Sequence, residues 1–284
     1  MTVPIVVYAD IDGAFRAADL TTSAPALTCE VLGRENLVLV LCSHMTRVEL
    51  EMCRQHLGIA HPFICESGAA VLIPHGYFPF EVPCDRDLAG HHVIEFGKSY
   101  GEVVDLLHRT AKRIHIDVVG FSDMSVEQVA AACDLSLSRA RLAKLREYDE
   151  PCRVIDASSG ARERLLRALH AAGLTCTYRG AYDHIGAAVD KGTSVGLLTA
   201  LFSRTFGPLI TVGLGSPANS TALLHRVDMP FILADGRSPL NSPELARIPR
   251  LAPGTAAWID AIADIARHAR HQLATHHRVP TNEW

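Results

Sequence analysis

Two carboxylates one residue apart, Asp10 and Asp12, close the run Ile5-Val6-Val7-Tyr8-Ala9-Asp10-Ile11-Asp12-Gly13-Ala14. A β-branched and aromatic run that breaks into two acids and a glycine reads as a buried strand delivering both carboxylates to the carboxyl edge of a sheet, where open α/β sheets bind ligands. Residues two apart on a strand point to the same side, so one carboxylate can attack a substrate while the other moves protons. The same letters also describe a strand that simply ends in an Asp-Gly turn. A second apolar run, 36–42, ends at Ser43, whose hydroxyl is placed either to bind a phosphate oxygen or to cap a helix expected over 46–57. Lys191, in Val189-Asp190-Lys191-Gly192, sits in a loop before a periodic helix over 193–202. Its ammonium can neutralise a phosphate or a carboxylate nucleophile, or simply be solvated.

These side chains need a scaffold that brings distant strand ends together. Up to residue 74 short apolar runs alternate with helical periodicity, and 62–74 splits into two strands around Glu66-Ser67-Gly68. That alternation argues for an α/β fold with a parallel, doubly wound sheet. From about Cys84 the chain becomes more polar and has its own supply of elements. Helices are expected over 100–113, over 125–133 and 136–144 with Ser125 and Ser136 as N-caps, and over 161–172, stopped by Gly173; strands are expected over 151–155 and 174–178. The reading is therefore a core of 1–83 and 188–284 with a second α/β unit, 84–187, inserted into it. Between them Arg146-Glu147-Tyr148-Asp149-Glu150-Pro151 is unusually charged, as a solvated loop or a substrate-facing one would be. The core resumes with a strand over 209–215, the loop Ser216-Pro217-Ala218-Asn219-Ser220, a helix over 221–225, an apolar run over 229–233, a helix over 256–267 and a loose polar tail.

Composition narrows the class. With 31 acidic against 27 basic residues in 284, the chain has no general basic field for nucleic acid, and small-molecule chemistry is the better expectation. Eight cysteines lie scattered without C-x-x-C spacing, several in apolar runs, which reads as core thiols in a reducing compartment. No apolar run approaches the roughly 18 residues needed to span a bilayer, and the first residues run straight into a strand. A cytoplasmic protein is expected. The 15 histidines lack the i, i+4 spacing of a metal helix, so none is assigned to a metal.

Asp10-Ile11-Asp12-Gly13, Ser43, Lys191 and the 213–220 loop, in that order on successive strand ends, resemble the four motifs of the haloacid dehalogenase superfamily. Within it the chain is similar to the Cof-type, mannosyl-3-phosphoglycerate phosphatase-like group, through segments 43–49, 62–68, 73–78, 119–124, 146–151 and 190–192. The resemblance implies a Rossmann-like core with an α/β cap inserted between the second and third motifs. It makes Asp10 the nucleophile, Asp12 the general acid and base, Ser43 a holder of phosphate oxygens and Lys191 the residue that binds phosphate and orients Asp10. Glu66, Arg146, Glu147, Tyr148, Asp149, His184 and Asn219 fall on the substrate side. At His184 the arginine-containing pattern expected just before it is broken at Ala181-Tyr182-Asp183.

The departures from that pattern bear on the cofactor. The fourth motif, G-D-x-x-N-D, anchors Mg²⁺ together with Asp10 and the Asp12 carbonyl; here it reads Gly215-Ser216-Pro217-Ala218-Asn219-Ser220. Mg²⁺ is normally held by one or two carboxylates plus substrate oxygens, so hydroxyls in their place leave a weak or absent site at Asp10 and Asp12. Ala14, Met45 and Ser67 replace a threonine, a lysine and an asparagine of the pattern. Three readings stay open: a phosphomonoesterase for a small sugar- or glycerate-type phosphate, a metal-independent enzyme using Asp10 and Asp12 on a non-phosphorylated substrate, and a silent binding protein. Retention of Asp10, Asp12 and Lys191 argues against the last.

Overall fold

The structure, a computed structural model, describes residues 3–12, 37–88, 90–155, 159–179, 181–216, 220–233 and 244–251, with Asp264 and Arg267. Its first elements are β1 (Ile5–Asp10), β2 (Leu37–Cys42), α1 (Arg47–Leu57), β3 (Phe63–Cys65), a 3-10 turn (Glu66–Gly68), β4 (Ala70–Pro74), β5 (Arg86–Leu88) and β6 (His91–Glu95). Then come α2 (Tyr100–Arg113), β7 (Val118–Gly120), α3 (Val126–Cys133), α4 (Leu137–Ala143), β8 (Glu150–Val154), α5 (Ala161–Ala171), β9 (Leu174–Arg179) and β10 (Tyr182–Ala187). The chain returns through α6 (Lys191–Phe206), β11 (Ile210–Gly215), α7 (Thr221–Leu224), β12 (Met229–Leu233) and β13 (Arg250–Leu251).

Nine strands form one sheet in the order β13-β12-β11-β1-β2-β3-β4-β6-β5. From β13 to β3 the pairs are parallel, with Asp10 opposite Cys42 and Tyr8 opposite Gly213. All six residues of β1 are buried, because both faces of the sheet are covered. Val7, Leu39 and Phe63 pack on one side, and Val6, Tyr8 and Phe202 on the other. Continuous apolar runs are what a sheet covered on both faces selects. The parallel pattern stops at β4, which turns back antiparallel on β3. Three residues, Glu66–Gly68, are far too few for the crossover a parallel partner needs.

The second sheet, β7-β8-β10-β9, is wholly antiparallel and packs on α2 and α5 through Val103, Leu107, Leu165, Leu169 and Ile185. The sequence reading opened the inserted unit at 84, yet β5 and β6 pair into the nine-stranded sheet. Their polar letters, among them Arg86, Asp87, His91, His92 and Glu95, are those of edge strands and mask that membership. Strand β10 was not anticipated either, because Asp183 and His184 interrupt its apolar pattern. Two helix starts also differ from expectation. Thr46, in a capping box with Glu49, caps α1 in place of Ser43, and Asp190 caps α6 so that Lys191 is its first helical residue and not part of a loop. The expected helix over 256–267 lies outside the described residues apart from Asp264 and Arg267, as do Gly13 and Ala14. Among the described residues no helix is long and apolar enough to cross a membrane.

Candidate active site

The carboxyl end of β1 places Asp10 and Asp12 where the sheet's central strands meet, and both side chains are buried. Lys191 reaches them from the N-terminus of α6: its Nζ donates to Asp10 Oδ2 at 2.7 Å and to Asp12 Oδ2 at 2.9 Å. Close backbone approaches fix that position. A Cβ on Gly68 would lie 2.6 Å from the Asp190 carbonyl oxygen, and one on Gly192 2.6 Å from that of Ala222. Glycine lets the neighbouring chain come in and set the lysine's height.

Asp10 is held from three directions. The Asp12 backbone N–H donates to Oδ1 at 2.9 Å, and the Ser220 hydroxyl joins Lys191 on Oδ2. Burial and the neighbouring Asp12 push the Asp10 carboxyl above its ordinary range, against the opposing pull of Lys191 and Ser220. Asp12 is enclosed by the end of β2: Ser43 Oγ donates to Oδ1, the His44 backbone N–H reaches Oδ2 at 2.9 Å, and the His44 ring Nδ1 lies 2.7 Å from Oδ1. Ser43 was expected on phosphate; here its hydroxyl is turned to Asp12.

The inserted unit enters the site through 146–149. Arg146, buried, donates to Asp149 Oδ1 and to the His44 carbonyl, each at 2.7 Å. Glu66 accepts the backbone N–H groups of Glu147, Tyr148 and Asp149 at 2.9, 2.8 and 3.0 Å. Burial and then Asp149 push the Glu66 carboxyl up to about 8. The Tyr148 hydroxyl is bonded to Glu95 and accepts from Arg86 at 2.8 Å. So Glu66 and Tyr148, expected at the substrate, join the two units to each other. His184 lies 2.8 Å from Asp149 Oδ2 and 5.4 Å from the His44 ring, edge-on, and burial lowers it to about 4. His44, Arg146 and His184 line a cavity of about 880 Å³ between α1 and the α3–α4 pair. Asn219 lies outside the described residues.

Mg²⁺ does not fit this donor set. The first-motif carboxylate oxygen Asp10 Oδ2 is shared by an ammonium and a hydroxyl, and Asp12 by Ser43, His44 and Lys191. From the fourth motif come a hydroxyl bonded to Asp10 and the buried Ser216 hydroxyl, which has no hydrogen-bond partner. A hard dication that keeps its water unless carboxylates replace it finds one carboxylate and neutral hydroxyls. A metal site at Asp10 and Asp12 was expected to be weak or absent, and both carboxylates are engaged by protein donors here.

Two features escaped the sequence reading. His44 follows Ser43 at a strand end, and that position was the available signal. His75, Asp87 and His92 bring ligand-type atoms within 4.8 Å of one another, from β5, β6 and the turn after β4; their spacing, 12 and 5 residues, matches no helical metal pattern. Nitrogen donors there suit zinc-like cations better than Mg²⁺.

No protein-family model matches the chain. Curated relatives do. It is 33% identical over 267 residues to a glucosyl-3-phosphoglycerate/mannosyl-3-phosphoglycerate phosphatase of Methanococcoides burtonii, covering 92% of this chain and 96% of that one. It is 31% identical over 262 residues to the phosphatase of the same description from Persephonella marina, covering 91% and 96%. Among solved structures, a sugar phosphatase of haloacid dehalogenase subclass IIB superposes with a TM-score of 0.55 at 13% identity, covering 93% of this chain and 98% of that one. The chain thus belongs to the haloacid dehalogenase superfamily, in its Cof-type, mannosyl-3-phosphoglycerate phosphatase-like branch, and is a hydrolase-type enzyme of that fold.

Proposed function

We propose that this enzyme hydrolyses a small anionic ester, a phosphomonoester being the class its relatives point to, with Asp10 as nucleophile, Asp12 as proton donor and acceptor, and Lys191 as the cation of the site. An Asp10 carboxylate oxygen attacks phosphorus, the bond to the leaving oxygen breaks, and that oxygen takes a proton from Asp12. Water then attacks the aspartyl-phosphate, returns a proton to Asp12 and releases Asp10. The observation that carries this is the bridging ammonium, 2.7 and 2.9 Å from the two acids. At an effective dielectric near 20, a carboxylate meeting a phosphate dianion at about 3 Å costs on the order of 11 kcal/mol, and one ammonium at the same range attracts the dianion by a similar amount.

In this reading 1–97 and 188–284 form the core and 98–187 the cap, with the substrate between them. Seven described cysteines, all unpaired, support a reducing, cytoplasmic setting. Small molecules are the partners, with neither nucleic acid nor membrane. The orientation of Ser43 Oγ toward Asp12 favours a second reading, in which Asp10 attacks a non-phosphorylated substrate. Phosphate release from a panel of phosphoesters, in Mg²⁺ and in EDTA with Asp10→Asn as control, separates them. Turnover equal in both buffers and absent in the control is expected; no release from any ester by folded protein would move the assignment to the second reading.

A further inference from the structure

The cavity beside the acids is mostly apolar and carries no excess of permanent cations, its remaining polar liners being His44, His56, Ser138, Tyr182 and His184. A sugar-phosphoglycerate carries several negative charges and a ring of hydroxyls, and a site for it would present an excess of cations and hydrogen-bond donors. The wall toward α1 is formed by Met45, Met52 and Cys53, and the facing wall by Leu135, Leu142 and Phe121. Charged side chains along it balance, with Arg139 and Arg146 against Glu49 and Asp134. Of these, Arg146 is already paired with Asp149, and Glu49 is engaged in the cap of α1. The nearby His184 is held neutral at pH 7 by burial.

We propose that the substrate of this enzyme is amphipathic: a single anionic head for Asp10 and Lys191, and an apolar body, aryl or branched alkyl, for the cavity. A volume of about 880 Å³ lies within the range of pockets that take drug-sized ligands and holds a body of two or more fused rings. His44 makes head and body one site. Its ring lies 2.7 Å from Asp12 and also lines the cavity, so a body resting against it brings its ester oxygen toward the acids. Arg139, half-buried on the far wall, is the cation available to a polar substituent at the other end of the body.

This inference rests on the reading of Asp10 and Lys191 as the reacting centre, and the test separates the two. Binding of 1-naphthyl phosphate and of mannosyl-3-phosphoglycerate to full-length Asp10→Asn protein is measured by titration calorimetry, alongside phosphate release by the unsubstituted enzyme. The naphthyl ester should bind at least tenfold more tightly than the sugar ester. Met52→Glu, at a side chain 53% exposed and therefore safe for folding, should weaken the naphthyl ester at least fivefold, and Leu142→Glu more. Equal or tighter binding of the sugar ester, naphthyl binding indifferent to Met52→Glu, or no binding of either below 1 mM each overturns the proposal. Tight naphthyl binding without phosphate release by the unsubstituted enzyme retires the phosphatase reading and leaves the amphipathic pocket standing.

Discussion

At the scale of single residues, a lysine ammonium bridges two buried carboxylates. Removing one member of a buried charge group leaves the others uncompensated, at a cost of about 3–5 kcal/mol. Lys191→Met should therefore lose phosphate release by about 10²–10³-fold and unfold at a lower temperature. Its pH dependence carries a sign. Without the ammonium the folded-state titration of Asp10, already raised by burial and Asp12, rises further above that of the unfolded chain, so the penalty is largest at neutral pH. The deficit against the unsubstituted protein should shrink as pH falls toward about 4. Thermal melts across pH 4–8 measure this, and a deficit independent of pH would contradict it. A second expectation concerns the fourth motif. Ser216→Asp with Ser220→Asp supplies the missing carboxylates and should create a Mg²⁺ site visible by calorimetry, together with phosphate release that EDTA suppresses.

At the scale of elements, the turn Glu66–Gly68 carries more than its three residues suggest. Glu66 takes three backbone N–H groups of 147–149 at φ 43°, and its removal leaves buried donors unpaired at about 1–3 kcal/mol each. Glu66→Ala should lower stability by several kcal/mol in urea unfolding, whereas Thr46→Ala, which loses the capping box of α1, should cost about 1 kcal/mol. The strands of the central sheet were legible because their letters have a single use: β2 is apolar throughout, and β1 and β11 are so but for Asp10 and Thr211. β5, β6 and β10 were not, since their polar letters serve edge and ion-pair positions that show only when the partner strand is in place, as Asp183 with Arg162. Asp10 and Asp12 were legible at a strand end, and Lys191 was set beside them by resemblance; the structure brings the three within hydrogen-bond reach. The interior duties of Glu66 and Tyr148 were invisible, because hydrogen bonds 81 and 53 residues apart in sequence leave no periodic trace.

For the whole molecule, the inserted unit and the core are joined by ionisable groups as much as by apolar contact. Arg47 reaches Glu147 at 2.7 Å, Arg146 reaches the His44 carbonyl and Glu66 accepts the Glu147 amide, while His184 closes on Asp149 within the inserted unit. His184 titrates at about 4 when folded and near 6.5 when unfolded. A lowered base leaves the unfolded chain binding more protons between those values, so its contribution is complete above about 6.5 and is lost as pH falls toward 4. The loss amounts to roughly 3 kcal/mol at most. The loss shows in the difference between proteins: relative to the unsubstituted protein, His184→Gln should gain melting temperature as pH falls over that interval. Glu66, pushed up to about 8, has the opposite sign: its contribution is present below about 4.5 and is lost as pH rises to 8. A stability maximum between those limits follows.

Gly68 stands at φ 103° with the Asp190 carbonyl where a Cβ would be, one residue before the lysine, while Glu66, two residues earlier, grips the segment bearing Arg146 and Asp149. The turn acts as a fulcrum with the cation on one arm and the cavity wall on the other. Reshaping the compartment for a new substrate therefore tilts the reacting groups too, so selectivity and rate in this lineage must drift together, and drift at 147–149 should be matched by change near 190.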